Sequence, residues 1–277
     1  MRMIKSRKGL SNAVVALILI IATMIIALVT VGYVFGLFGA LAGMPIVKVV
    51  GTPYMIGDAP LYTGWVGWVG HLWEPRFPNT TQDYVVVLTL QSTGRVDIVG
   101  ASITGTPLSV NSSEIMNAHL KPGNNTVVIV FPANNYQLSN DSTYTIMITL
   151  SDGQTILSAT EYEGAKLPKM SLYYMQIHIR INHFNYYYRN PPYRYYSIIP
   201  IVNYEHSSKI IGGGILGTSL IGDIIPPTNI IYGYGAATFV NIFFKGQDNL
   251  KPYQQYTVVL ILDNEEVLLV NATYLPY

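Results

Sequence analysis

The chain has 277 residues, half of them hydrophobic, only 11% charged, and none of them cysteine. That length allows one or two domains with a sizeable core, and the low charge excludes a disordered or nucleic-acid-binding chain. The missing cysteines exclude disulfides, thiolate metal sites and cysteine nucleophiles together.

Four of the sixteen basic residues, Arg2, Lys5, Arg7 and Lys8, fall in the first eight positions, so from Leu10 onward 12 basic side chains face 15 acidic ones. No charged residue occurs from Gly9 to Val47. As a helix from Leu10 to Leu41 this run would be about 48 Å long, against roughly 30 Å of bilayer hydrocarbon. Three readings compete. A secretory signal could be cut after Ala40-Leu41-Ala42, although its apolar region is about twice the conventional length. A permanent anchor would keep the basic N-terminus cytoplasmic. A short leader could instead be removed before the apolar run, leaving that run on the mature protein.

The third reading rests on where the basic residues stop. "KSRKG" followed directly by "LSNAVVALILI" resembles the class III signal peptide of archaeal type IV pilins and archaellins. The resemblance covers roughly the first 40 residues and implies cleavage by a prepilin peptidase between Gly9 and Leu10, with Arg7 and Lys8 as the charged residues before the cut. Bacterial type IV pilins carry a glutamate at the fifth mature position; here that position is Val14, which fits the archaeal branch. Gly32, Gly36, Gly39 and Gly43 are spaced as small-xxx-small pairs that let helices approach closely. Either they pack against neighbouring helices or they loosen the helix toward Pro45.

Beyond Pro45 the pattern becomes short alternating runs between polar and Gly/Pro turns, as in "DYVVVLTLQSTG", "NTVVIVFPANN" and "ATFVNIFFKGQ". Such runs predict antiparallel β-sandwich modules. Sliding the chain by 112 residues aligns 84–162 with 196–274 without a gap, with 18 of 79 positions identical. Tyr84 falls on Tyr196, Phe131 on Phe243, and Leu138 on Leu250. This predicts a tandem duplication of one β domain. In each copy a leucine precedes by six residues a Tyr-Thr that opens an alternating strand. Tyr144 and Tyr256 thus resemble the tyrosine corner of immunoglobulin-like sandwiches, the alternative being an ordinary interior tyrosine. Early in each copy lies an aromatic loop, "GDAPLYTGWVGWVGHLWEPRFPNTT" in the first and "NHFNYYYRNPPYRYYS" in the second, suited to sugar binding or to subunit contacts.

Catalytic chemistry finds little purchase. His178 and His183 are five apart, so on one strand they would point to opposite faces, which argues against a shared metal site. Asp58, Glu74 and Asp97 are isolated, and "IGGGILG" at 211–217 lacks the spacing of a nucleotide loop. Asn79, Asn111, Asn124, Asn140 and Asn271 each head an N-x-S/T sequon, which predicts surface glycosylation.

The expected fold class is therefore a long N-terminal hydrophobic α-helix followed by two tandem immunoglobulin-like β-sandwich domains. The expected divisions are a leader at 1–9, a transmembrane or filament-core helix at 10–44, and β domains at 45–165 and 166–277. By the resemblance, the chain is a structural, non-enzymatic subunit of an archaeal type IV pilus-like extracellular filament used for adhesion, with no cofactor or metal. Its partners would be further copies of itself, a prepilin peptidase and assembly machinery, the membrane before assembly, and glycans or cell surfaces, but no nucleic acid. An archaellin and a membrane-anchored cell-surface binding protein are the alternatives.

Overall fold

The computed structural model describes residues 19, 22–27, 30, 43–62, 79–80, 83–165, 170–172, 177–181, 193–224 and 229–276. The chain divides into two compact units, Met1–Pro45 and Ile46–Tyr277.

In the first unit the expected fold class is corrected. Among the described residues, helix is confined to Leu19, 22–27 and Thr30, and no helix is long and apolar enough to cross a membrane. Hydropathy alone does not set helix length: β-branched residues lose side-chain freedom in a helix. Thr23 and Thr30 also turn their hydroxyls back onto the carbonyls of Leu19 and Ile26 (3.0 and 2.8 Å), a contact that slightly destabilises helices.

The second unit is built almost wholly of strands. Its first half runs β1 (Val47–Gly57), β2 (Pro60–Tyr62), β3 (Asn79–Thr80), β4 (Asp83–Ser92), β5 (Val96–Ile103), β6 (Ser109–Asn111), a 3₁₀ turn (Ser112–Glu114), β7 (Ile115–Met116), β8 (His119–Leu120), β9 (Gly123–Pro132), β10 (Ser142–Leu150) and β11 (Thr155–Ala165). Its second half runs β12 (Met170–Leu172), β13 (Ile177–Ile181), β14 (Tyr193–Asn203), β15 (Ser208–Ile215), β16 (Ile221–Ile224), β17 (Ile230–Ile231), β18 (Ala236–Lys245), β19 (Gln255–Leu262) and β20 (Val267–Leu275). One sheet follows the order β6-β5-β10-β11-β1-β4-β9-β7, and the other β12-β14-β18-β16-β15-β19-β20-β2-β3. In place of two flat-layered sandwiches, each sheet curls like a barrel around its own core.

The topology carries the duplication. In the first copy β1 runs parallel to the last strand, with Met55 opposite Tyr162; in the second, β13 runs parallel to the last strand, with Ile179 opposite Tyr274. Both also pair antiparallel with the next long strand, β4 or β14. The chain then crosses between copies: β2 leaves the first copy and adds to β20, with Leu61 opposite Leu269.

The gapless alignment is corrected at two strands. Val86, Leu88 and Leu90 of β4 face the first core, and Ser197, Ile199 and Ile201 of β14 take the matching inward positions. The equivalent of Tyr84 is consequently Tyr195, not Tyr196. On β9 the inward residues are Val127, Ile129 and Phe131, and on β18 they are Val240, Ile242 and Phe244, so Phe131 matches Phe244. The cross-strand pairs agree: Tyr84 lies opposite Phe131, and Tyr195 opposite Phe244. A one-residue offset reverses the face of every side chain on a strand. Here two opposite offsets cancel over the repeat and leave β10 and β11 in register with β19 and β20.

Candidate functional site

The loop before β10 is tied down twice. Tyr144 lies at the start of β10, and its hydroxyl accepts the N–H of Ser139, five residues upstream, at 2.9 Å. At the start of β19, Tyr256 accepts the N–H of Lys251 at 2.8 Å. Deeper in the loop, Tyr84 donates to the carbonyl of Tyr136 (2.8 Å) and accepts from the N–H of Leu138 (3.0 Å). Tyr195 accepts from the N–H of Leu250 at 3.2 Å. The rings are braced from the last strand: Tyr84 meets Tyr162, and Tyr195 meets Tyr274, both edge to face with centroids 5.3 Å apart. Burial, with a further contribution from Tyr84, pushes the Tyr162 phenol up to about 12. The Tyr162 hydroxyl thus remains neutral at physiological pH. Beside them lies a polar cleft of about 580 Å³, lined by Asp58, Tyr136, Gln137 and Asn140 among others.

The seam between the copies is a third apolar core. Ile56, Ala59, Val85, Val87, Met116, Val128 and Val130 from the first copy pack with Val259, Ile261, Val267 and Leu269 from the second. These are the residues of each sheet that point away from its own core, and every one is buried. Gly214 of "IGGGILG" serves this seam, since a Cβ there would come within 2.8 Å of Met116 Sδ; one on Gly213 would instead meet the Val259 carbonyl and Ile242 inside the second copy's own sheet and core. Gly217 has φ +71° and donates its N–H to the carbonyl of Ile115 (3.1 Å), across the seam. Close approach, not phosphate binding, accounts for these small residues. Tyr54 packs against the same core with its hydroxyl buried and unpartnered, and burial drives its phenol far above the ordinary value.

A second cleft, of about 470 Å³, opens at the edge of the seam. Arg95, Asp97, His119 and Lys121 line it from the first copy, and Ser219, Gln247 and Asp248 from the second. His119 Nδ1 meets Asp97 Oδ1 at 2.7 Å, with both side chains about half exposed, and Asp248 accepts the N–H of Ser219. A hydrolytic triad would need a hydroxyl on the imidazole. The nearby Ser151 hydroxyl instead accepts the backbone N–H of Asp97 (3.2 Å).

The remaining candidates scatter. Arg7, Lys8, Gly9, Leu10, Gly32, Gly36, Gly39, Glu74 and His183 lie outside the described residues. Gly43 has no atom near its missing Cβ. His178 sits alone on β13, its imidazole held below the ordinary value by burial and by Arg180, and no metal-binding cluster occurs among the described residues. Asn111, Asn124 and Asn140 are exposed, and Asn111 caps the 3₁₀ turn by accepting the N–H of Ser113. Asn271 is half-buried on β20 and accepts from the Thr257 hydroxyl (3.2 Å). Asn79 lies on β3. The seam was missed at the sequence level, although β4 and β9 showed its signature as nearly unbroken apolar runs, the mark of strands covered on both faces.

A family described as a protein of unknown function (DUF973) matches residues 81–163, the span from just before β4 to the end of the first copy. No curated protein matches the chain. Among solved structures, the tandem Ig repeats of Dlar are similar at 10% identity and a TM-score of 0.34, over 83% of this chain and 98% of that one. A protein of unknown function from Porphyromonas gingivalis W83 gives 12% identity and 0.25, over 82% and 99%. Domains 5–6 of the S-layer protein SbsC give 11% and 0.23, over 84% and 99%. At these scores none carries an argument about this chain.

Proposed function

We propose that this chain is a structural subunit of an archaeal type IV pilus-like extracellular filament, with adhesion as its use. The observation that carries the reading is the seam. Two copies of one β unit are joined by a continuous apolar core and a crossing strand, so that they stand as one compact body suited to bearing load. The leader-like sequence Arg7-Lys8-Gly9-Leu10 supports removal of a leader by a prepilin peptidase between Gly9 and Leu10. The reading calls on no membrane-spanning helix and on no catalytic group.

Imaging and mass spectrometry of the extracellular fraction sheared from cells test it. The reading expects filaments that contain this chain. Finding the chain only in cell membranes, with none in the sheared fraction, would overturn it in favour of a surface-bound binding protein.

A further inference from the structure

The contact between the copies is heterologous: the first contributes the outer face of β4 and β9, the second the outer face of β19 and β20. Each copy therefore also owns the face that its sibling used. In the second copy, the counterpart of the β4–β9 face is the outer face of β14 and β18. By the corrected register, Tyr196 stands where Val85 does, Ile198 where Val87 does, and Phe243 where Val130 does. In the first copy these positions are at most 6% exposed, because the second copy covers them. In the second copy Ile198 is 47% exposed and Phe239, on the same face, 55%. Tyr196 and Phe243 stack beside them at 6.1 Å, with the polar Asn241, opposite Ile198, among the apolar residues of this face.

The first copy keeps part of the complementary surface. Met147 and Leu157 on β10 and β11 stand where Val259 and Leu269 do and are 37% and 64% exposed, with Val99 on adjacent β5 at 47%, while Thr149 and Thr155 take the places of Ile261 and Val267. Exposed apolar strips of this kind mark interaction surfaces. The rims have opposite charge: Arg194 borders the β14–β18 face, and Glu161 borders the β10–β11 face.

We infer that the β14–β18 face of one chain binds the β10–β11 face of the next, repeating between chains the contact that already joins the copies within one. A second copy of this chain is the fitting occupant, because it alone carries the counterpart of the surface that covers the equivalent strip internally. Heterologous contacts of this kind extend head to tail and do not close about a two-fold axis. The inference rests on the filament reading and gives it a specific subunit contact.

The absence of cysteine makes the test clean, since any introduced thiol is unique. Full chains carrying Ile198→Cys and Leu157→Cys, one of them tagged, are mixed and treated with a short bismaleimide. The inference predicts a covalent dimer containing one of each, and none from either variant alone. Dimers from Ile198→Cys alone would reveal a two-fold contact and overturn it. Adding Phe239→Asp to the Ile198→Cys chain should abolish the mixed dimer while leaving circular dichroism unchanged; a dimer that persists would also overturn it. Unlinked chains that are nevertheless found in sheared filaments would defeat this contact and leave the filament reading standing. Mixed dimers from a chain never found in filaments would do the reverse.

Discussion

Tyr84 and Tyr195 do the same work in the two copies although the best sequence alignment does not pair them. Each hydroxyl accepts the N–H of a buried leucine, Leu138 at 3.0 Å and Leu250 at 3.2 Å, and each ring meets the edge of a tyrosine on the last strand. The aligned residue, Tyr196, is turned to the opposite face and stacks on Phe243.

The tyrosines at the two depths should differ in worth. Tyr84→Phe strands the buried N–H of Leu138 and the carbonyl of Tyr136, which costs about 1–3 kcal/mol. Tyr144→Phe frees a more exposed N–H, that of Ser139, and should cost about 0.5–1.5 kcal/mol. Urea unfolding of both variants measures the difference. A neutral Tyr84→Phe would show that this hydroxyl does not hold the loop.

Neither copy should be independent. A fragment of 166–277 would expose Val259, Ile261, Val267 and Leu269, now at most 2% exposed, and would lose the pairing of β2 with β20. Restoring water to four such side chains costs roughly 6–12 kcal/mol, as much as the whole stability of many domains. The fragment should aggregate or stay unfolded by circular dichroism. A soluble monomer with a cooperative melt would contradict the shared core.

Stability should respond to pH through His178. Burial and Arg180 hold its folded-state pKa below the unfolded value near 6.5, so the unfolded chain binds the proton more readily. Its contribution is full above that value and is lost as pH falls through it toward the folded pKa. Melting temperatures from pH 8 to 5 should show this slope, and His178→Gln should flatten it. An unchanged slope in the variant would assign it to other groups.

Glycan occupancy should follow exposure. Glycopeptide mapping of protein from its own cells should find Asn111, Asn124 and Asn140 modified and Asn271 bare, because Asn271 is half-buried on β20 and bonded to Thr257. A modified Asn271 with bare Asn124 would reverse that order.

The duplication and many of the strands were legible because alternation and turn residues are local signals. Tyr144 and Tyr256 were legible for the same reason, since each ties back only five residues. The seam was not, because whether Val85 or Val259 meets solvent or a sibling copy depends on residues more than a hundred positions away. Nor were the offsets at β4 and β9 visible: Tyr84 on Tyr196 and Phe131 on Phe243 are identities between residues that face opposite ways, and only cross-strand pairing shows it. The expected transmembrane helix has no counterpart among the described residues, and an apolar run reports hydropathy and not helix length. Beside the nearly unbroken apolar runs of β4 and β9, Gly214 of "IGGGILG" was a local hint of the seam, for a glycine inside a strand indicates close approach of another element.

The most direct test of the filament account is the N-terminal sequence of the chain recovered from filaments sheared from cells. The account predicts a mature protein beginning at Leu10, cut after Gly9. Filaments lacking the chain, or a chain that retains Met1 or begins at Gly43, would contradict it.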